Sequence, residues 1–305
     1  MADPDPDSTA AMPAELNLDV QWIDGTDPDE PSYQTHQLEA HTFVIRQSLR
    51  LSPEGPFIFL LFGASRALLL DTGAAKGPAA SQLRSVVDTL IDDWLTAHPR
   101  ENYELLVAHS HGHGDHTAGD DEFIERPRTT VVPGELDSVV EYFGFAQWPA
   151  GTATLDLGSR ELLVIPSPGH QAAAVTFYDP WTGLLLTGDT VYPGRLYAPD
   201  MGAFASTIDK LVDLAAHHPV SHLLGCHIEL PRKPGADYPL GARRHPDERP
   251  LTMSVPQLQA LRKLAAECVD NPGVHATDDF IVYSGMRRRD QLKLLFRSIG
   301  SPLRK

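Results

Sequence analysis

One stretch constrains this chain more than any other: His109-Ser110-His111-Gly112-His113-Gly114-Asp115-His116, directly after the apolar run Leu105-Leu106-Val107-Ala108. A short apolar run bounded by polar residues and glycine reads as a buried strand, so the imidazoles fall in the loop at its end. Crowding imidazoles, a carboxylate and two glycines into one loop contributes nothing to a core. Neutral imidazole and carboxylate are, however, the donors that divalent ions such as zinc favour. A solvated histidine-rich loop would leave the spacing without a reason. The stretch therefore reads as part of a metal site, with the remaining ligands elsewhere in the chain.

The whole-chain properties set bounds on that site. At 305 residues the chain can form one large α/β domain or two smaller ones. A formal charge of −16 argues against a nucleic-acid partner, which needs concentrated Lys and Arg. Arg287-Arg288-Arg289 is a local basic exception and reads as a solvated turn. Cys226 and Cys268 are too few for a disulfide framework, and Cys268 shares a helical stripe with Leu261 and Leu264. The acidic, proline-rich opening Met-Ala-Asp-Pro-Asp-Pro-Asp resembles neither a secretory signal nor a membrane span. A cytoplasmic protein with reduced thiols and no membrane partner is the expectation, and no residue pattern specifies an oligomeric state.

Residues 1–14 read as a disordered acidic tail, and residues 15–305 as a single domain. Strands are expected at Thr42–Ile45, Phe57–Phe62 and Ala67–Leu70, with a hairpin turn at Gly63–Arg66. Leu83, Val86, Val87, Leu90, Ile91 and Trp94 recur at helical spacing and predict a helix over Pro78–Ala97. After the histidine loop come a strand at Thr130–Val132 and a helix over Glu135–Phe145. Four more strands are expected at Ala153–Leu157, Glu161–Ile165, Ala174–Tyr178 and Leu184–Thr187. A helix from Ser206 to His217, capped by Ser206 or Thr207, precedes a strand at Ser221–Leu224. The aperiodic stretch at about 228–252 reads as a functional loop. A helix from Ser254 to Cys268, a strand at Phe280–Tyr283 and a short basic helix complete the chain. Strands–helix–strands occurs twice, which suggests two packed sheets with helices outside.

Asp71, the His111–His116 cluster, His170, Asp189 and His227 each follow an apolar strand. Side chains that leave one edge of a sheet converge, and α/β folds place their sites there. In order, Asp71-Thr-Gly, His111-x-His113-x-Asp115-His116, Gly169-His170, Gly188-Asp189-Thr and Gly225-x-His227 resemble the motifs of the metallo-β-lactamase superfamily. The resemblance implies an αββα sandwich of two mixed sheets with a dinuclear metal site at one edge. It implies that His111, His113 and His170 hold one ion, and that Asp115, His116 and His227 hold the second. Asp189 would bridge the two, and Asp71 would orient ligands from behind. Two divalent ions are the implied cofactors, zinc first, with iron or manganese as alternatives. His109 stands outside the pattern and is expected to hydrogen-bond locally, while Cys226 reads as a packed thiol.

The implied chemistry is hydrolysis. Two divalent ions close together make hydroxide available at neutral pH to attack a carbonyl or phosphoryl centre, with Asp115 orienting it or accepting its proton. Tyr192, three residues after Asp189, matches the position of a substrate-binding tyrosine in lactonases of the superfamily. A ring that merely packs the turn before Pro193 is the other reading of it. Arg195 and Tyr197 can face the same groove, and Arg232, Lys233, Tyr238, Arg243 and Arg244 make the following loop basic and aromatic. Substrate contacts at Tyr192, Arg195, Tyr197, Arg232 and Tyr238 would suit a small anionic substrate; a solvated loop is the alternative. The expected activity is hydrolysis of an ester, lactone or thioester of a small molecule. Phosphodiester or β-lactam hydrolysis, or a redox diiron protein of the same fold, are the alternatives. A thioesterase for glutathione conjugates would be expected to carry a larger helical region after Ser254 than this chain does.

Overall fold

Every residue of the run Phe57–Phe62 is buried, yet alternate side chains enter different cores. Phe57, Phe59 and Leu61 join one cluster, while Ile58, Leu60 and Phe62 join another. A strand that is apolar on both faces must be covered on both faces, and this dictates a layered architecture. The structure is a computed structural model and describes residues 13–285 and Leu303.

In chain order the first half contains β1 (Tyr33–Glu39), β2 (Thr42–Gln47), β3 (Phe57–Phe62), β4 (Arg66–Leu70), α1 (Pro78–Ala97), β5 (Glu104–Ala108), α2 (Gly114–Thr117), α3 (Asp121–Ile124), β6 (Thr129–Val131) and α4 (Leu136–Phe143). The second half contains β7 (Ala153–Asp156), β8 (Glu161–Pro166), β9 (Val175–Asp179), β10 (Leu184–Gly188), β11 (Arg195–Tyr197), α5 (Met201–His217), β12 (His222–Gly225), β13 (Thr252–Met253), α6 (Val255–Asp270), β14 (Gly273–Ala276) and β15 (Ile281–Ser284). Two six-stranded sheets result, ordered β1-β2-β3-β4-β5-β6 and β13-β12-β10-β9-β8-β7. Between them lie Phe57, Phe59, Leu68 and Leu106 from the first sheet, against Leu162, Val164, Phe177 and Leu186 from the second. Leu83, Val87, Ile91 and Trp94 of α1 cover the outer face of the first sheet. Ile208 and Leu211 of α5, with Leu258 and Leu261 of α6, cover Leu185 and Leu223 on the outer face of the second. This is the expected αββα sandwich.

The strand directions place the site. β4 and β5 are parallel. β9 is antiparallel to both β8 and β10, and β10 is parallel to β12, so β8, β10 and β12 all run the same way. Asp71 and the histidine loop therefore leave one edge of the first sheet, and His170, Asp189 and His227 follow strands that point to one edge of the second.

Several boundaries differ from the sequence reading. α5 begins at Met201, and its cap is Asp200, whose carboxylate accepts from the Ala203 amide at 2.9 Å, rather than Ser206 or Thr207. Gly202 and the small residues of its first turns carry no apolar stripe, while the Thr207 hydroxyl, inside the helix, bonds to the Pro168 carbonyl. β1 was not foreseen because it is polar in sequence and only half covered, at the edge of its sheet. A third, three-stranded sheet, β11-β15-β14, was also not foreseen, and it incorporates the expected last strand. α6 starts as expected, with Ser254 and Gln257 capping each other reciprocally. The 228–252 loop is held by internal bonds: Tyr238 stacks on His245 at 4.1 Å, and Glu248 pairs with buried Arg46 of β2. Residues 1–12 of the expected tail, the basic run at 287–289 and the expected final helix lie outside the described residues; Ala14 donates to the Trp181 carbonyl. No helix among the described residues is long and apolar enough to cross a membrane.

At the end of the sandwich opposite the histidine loop, Arg160 joins the sheets. It pairs with buried Asp179 at 2.5 Å and donates to the carbonyls of His41 and Phe62. Removing one partner of a buried pair leaves an uncompensated charge. Asp179→Ala is thus expected to lower unfolding free energy by about 3–5 kcal/mol, measured by denaturant titration against wild type.

Candidate metal centre

The loop after β5 can bring His111 and His113 together because its backbone passes unusually close to a neighbour. A Cβ on Gly112 would stand 2.5 Å from the Gly134 carbonyl oxygen, so only glycine fits. Gly169 takes φ 139°, and a Cβ there would clash with the Phe204 backbone at 2.5 Å. That close approach of α5 seats His170 opposite the histidine loop.

Two groups of donors result. In the first, His113 Nδ1 lies 2.9 Å from His111 Nε2 and 3.0 Å from His170 Nε2. In the second, His116 Nε2 lies 3.5 Å from Asp115 Oδ2, and His227 Nε2 lies 3.6 Å from the same oxygen. Asp189 stands between the groups. Its Oδ2 is 4.0 Å from His111 Nε2 and 3.6 Å from His170 Nε2. Its Oδ1 is 3.6 Å from His116 Nε2 and 3.3 Å from His227 Nε2.

The far nitrogens of four rings are anchored, which aims the others inward. His170 Nδ1 bonds to the Tyr197 carbonyl at 2.9 Å, and His227 Nδ1 to the Glu54 carbonyl at 2.9 Å. His111 Nδ1 meets Ser110 Oγ at 3.2 Å, and His116 Nδ1 meets Asp71 Oδ2 at 2.9 Å. Asp71 itself is fully buried with φ 73°. It accepts from the Ser110 amide at 2.7 Å, the Ser110 hydroxyl at 2.9 Å and the Cys226 thiol at 3.4 Å.

Electrostatics divides the two groups. Burial, reinforced by the charge of His116, holds His111 well below the usual imidazole range, and burial lowers His113 too. Their ring nitrogens thus keep lone pairs. Burial also disfavours charge on His227, but Asp189 and Asp115 outweigh it and raise its pKa to about 10. His116 is raised likewise, by Asp71 and Asp189. The second group therefore favours positive charge at its centre. Burial works against the charged form of Asp189 as well, yet His227 and His116 hold its pKa far down. His116 Nε2 and Asp189 Oδ1 are buried without a hydrogen-bond partner, an arrangement that is costly unless something else fills their valence. His111, His113 and His170 bring donor atoms within 4.8 Å of one another, as do Asp115, His116, Asp189 and His227. Neutral imidazoles in one group, and imidazoles with carboxylates in the other, fit divalent ions.

The structure thus brings together all seven side chains expected to bind metal, with Asp71 behind them. Burial raises the Cys226 thiol, so it stays protonated and packed. His109 is buried 3.2 Å from Asp120 and 3.8 Å from Asp71. Burial lowers its basicity, but the two carboxylates outweigh that and bring its pKa to about 9. Each residue expected to meet substrate has an internal partner. The Tyr192 hydroxyl donates to the Arg195 carbonyl and lies 3.2 Å from Glu229, and its ring packs against His227 at 5.6 Å. Arg195 is buried between Glu229 and Asp237. Tyr197 stacks on Tyr283, Tyr238 donates to the Pro246 carbonyl, and Arg232 pairs with Asp247 at the surface. Ser110, Asp120, Glu54 and Glu229 escaped the sequence reading. Only Ser110, inside the histidine run, and Glu229, two residues after His227, had a positional signal.

Residues 52–224 match the family model described as the metallo-β-lactamase superfamily, and the chain belongs to that superfamily. Among curated relatives, a hydroxyacylglutathione hydrolase of Anaeromyxobacter dehalogenans is 37% identical over 86 residues, 28% of this chain and 32% of that protein. One from Halorhodospira halophila is 28% identical over 145 residues, 47% of this chain and 54% of that protein. The matches thus span about half or less of those relatives' length. Among solved structures, the metallo-β-lactamase FIM-1 from Pseudomonas aeruginosa, in its mono-zinc form, aligns with TM-score 0.52 at 12% identity, over 79% of this chain and 98% of that one. TMB-1 aligns with TM-score 0.51 at 14% identity, over 79% of this chain and all of that one. These two likenesses concern the fold alone.

Asp71→Asn keeps a residue that tolerates positive φ while removing the charge facing His116. It is expected to weaken zinc binding by about 10–100-fold, read by competition with a chromophoric chelator.

Proposed function

We propose that the protein is a dinuclear-metal-dependent hydrolase acting on a thioester, ester or lactone bond of a small molecule. The observation that supports this most is Asp189, which turns one oxygen toward each donor group. His111, His113 and His170 would hold one ion, and Asp115, His116 and His227 the other, with Asp189 shared. When bound, such a pair lowers the pKa of water toward neutrality and polarises a carbonyl oxygen.

The chain's own groups then have distinct tasks. Asp115 faces both His116 and His227 from one oxygen. Burial alone would raise its pKa, but His116 and His227 hold it well below the usual carboxylate range. It is therefore a carboxylate at neutral pH, placed to accept the proton of the attacking water and return it to the leaving group. Tyr192 packs behind His227 and fixes that ring's angle. Asp71 and Ser110 do the same for His116 and His111. The two curated relatives are named hydroxyacylglutathione hydrolase, and an acyl group on the glutathione thiol is a thioester, which supports putting thioesters first among the candidate bonds.

The test is a panel of thioesters, esters, lactones, phosphodiesters and β-lactams, assayed on protein of measured metal content. Turnover of the carbonyl compounds with about two ions bound per chain, abolished by chelator, is expected. Asp189→Ala should lower kcat/KM by about 100-fold or more, since orienting partners alone are worth about 10–100-fold. Wild-type rates in that variant would overturn the reading.

A further inference from the structure

The end of the sandwich remote from the histidine loop is not closed by packing. Beside Arg160 lies a cavity of about 220 Å³, walled by His41, Phe62, Trp94, His98 and Trp181. The turns at Gly63 and Gly158 complete the wall with backbone and offer no side chain to fill the space. Trp94 is buried and stacks on Phe62 at 4.9 Å and on His98 at 4.5 Å. His41 stands edge-on to Trp94 at 5.8 Å and to Trp181 at 5.5 Å, so each indole meets this imidazole. Trp94 Nε1 donates to His41 Nδ1 at 3.0 Å, which fixes both rings, and Trp181 is partly exposed. A rigid aromatic wall left open to solvent favours a flat ring, which gains stacking and apolar burial together.

Charge decides what that ring carries. Among the described residues that line the cavity there is no carboxylate, although the chain has a net charge of −16. Arg160 is spent on Asp179 and on two carbonyls. Arg100, also on the wall, is exposed; its guanidinium donates to the Pro99 carbonyl and pairs with no carboxylate among the described residues. It lines a second cavity as well, of about 280 Å³, with Arg84, Arg126, Arg128 and one acid, Asp92. Arg84 and Arg126 share a single carboxylate, Asp88, and the Arg128 guanidinium has no partner among the described residues. Arg100 thus stands where an aromatic cavity meets a basic one. The Trp94 carbonyl, at the end of α1, is taken by the His98 amide at 2.8 Å and His98 Nδ1 at 3.0 Å, so that acceptor is closed to a cation.

We propose that this cavity is a binding site for a planar aromatic anion of one or two fused rings, with the ring against Trp181, His41 and Trp94 and the anionic group on Arg100. The volume is below that of a drug-sized pocket, which sets the ring count. The site lies away from the metal centre and does not rest on the hydrolase reading.

The probe is 2-naphthoate, titrated into protein isotopically labelled at its tryptophan indoles and followed by NMR. The chain has four tryptophans, and single substitutions to Phe assign their signals. The Trp94 and Trp181 signals should shift saturably while those of Trp22 and Trp148 hold still. Affinity should fall from 2-naphthoate to the uncharged 2-naphthylmethanol to 2-naphthylmethylammonium, by about fivefold at each step. The saturated decahydro-2-naphthoate should bind about fivefold more weakly than 2-naphthoate. Arg100→Gln should remove the advantage of the anion over the alcohol and leave the alcohol's affinity unchanged, which also shows that the exposed substitution keeps the cavity intact. Trp94 and Trp181 signals that do not saturate, an alcohol or ammonium that binds as tightly as 2-naphthoate, or an anion preference that survives Arg100→Gln overturns the site.

Discussion

The centre depends on one buried carboxylate. Asp71 has no exposure, sits at a positive φ, and accepts hydrogen bonds from the Ser110 amide, the Ser110 hydroxyl and the Cys226 thiol, with His116 Nδ1 at 2.9 Å. Burial alone would protonate it, but His116 and His109 hold it far below the ordinary carboxylate range. An ionised group so enclosed must be satisfied on every side. It therefore fixes the loop after β5, through Ser110 and His116, and also the strand end that leads to His227, through Cys226. Both sheets are referred to one anion, and the clustered imidazoles and carboxylates inherit their positions from it.

The sandwich was legible because its signals are local. Runs such as Phe57–Phe62 and Leu184–Gly188 are buried on both faces and so read as continuous apolar stretches. α1 shows its stripe in sequence and was placed to the residue. What escaped was whatever depends on partners far away. β1 is polar and becomes a strand only by pairing with β2. β11 needs β15, more than eighty residues later, to exist as a strand at all. The seven donors were legible because strand ends advertise themselves. Glu54 was not, because it reaches the centre through a loop whose own sequence carries no pattern and whose partner is His227.

Charge follows the same lesson. Counting arginines along 228–252 suggested a basic surface, but a guanidinium acts on a ligand only if the fold leaves it without a carboxylate or carbonyl. Arg195 is 2% exposed and enclosed by acceptors, so it braces β11 and the loop rather than attracting anions. Composition can describe what a segment contains, whereas only the fold determines which charges remain available.

The distribution of the donors along the chain has a consequence for biogenesis. The first is His111 and the last is His227, just past β12 of the other sheet, so the two donor groups are both complete only when most of the sandwich has been synthesised and docked. His111, His113, Asp115 and His116 are adjacent in sequence and leave the ribosome together, a ready chelator with no sheet to enforce geometry. Whichever divalent ion is most available at that moment has first access to them. Any metal retained by the mature protein would then reflect the compartment and rate of synthesis as well as the finished cavity.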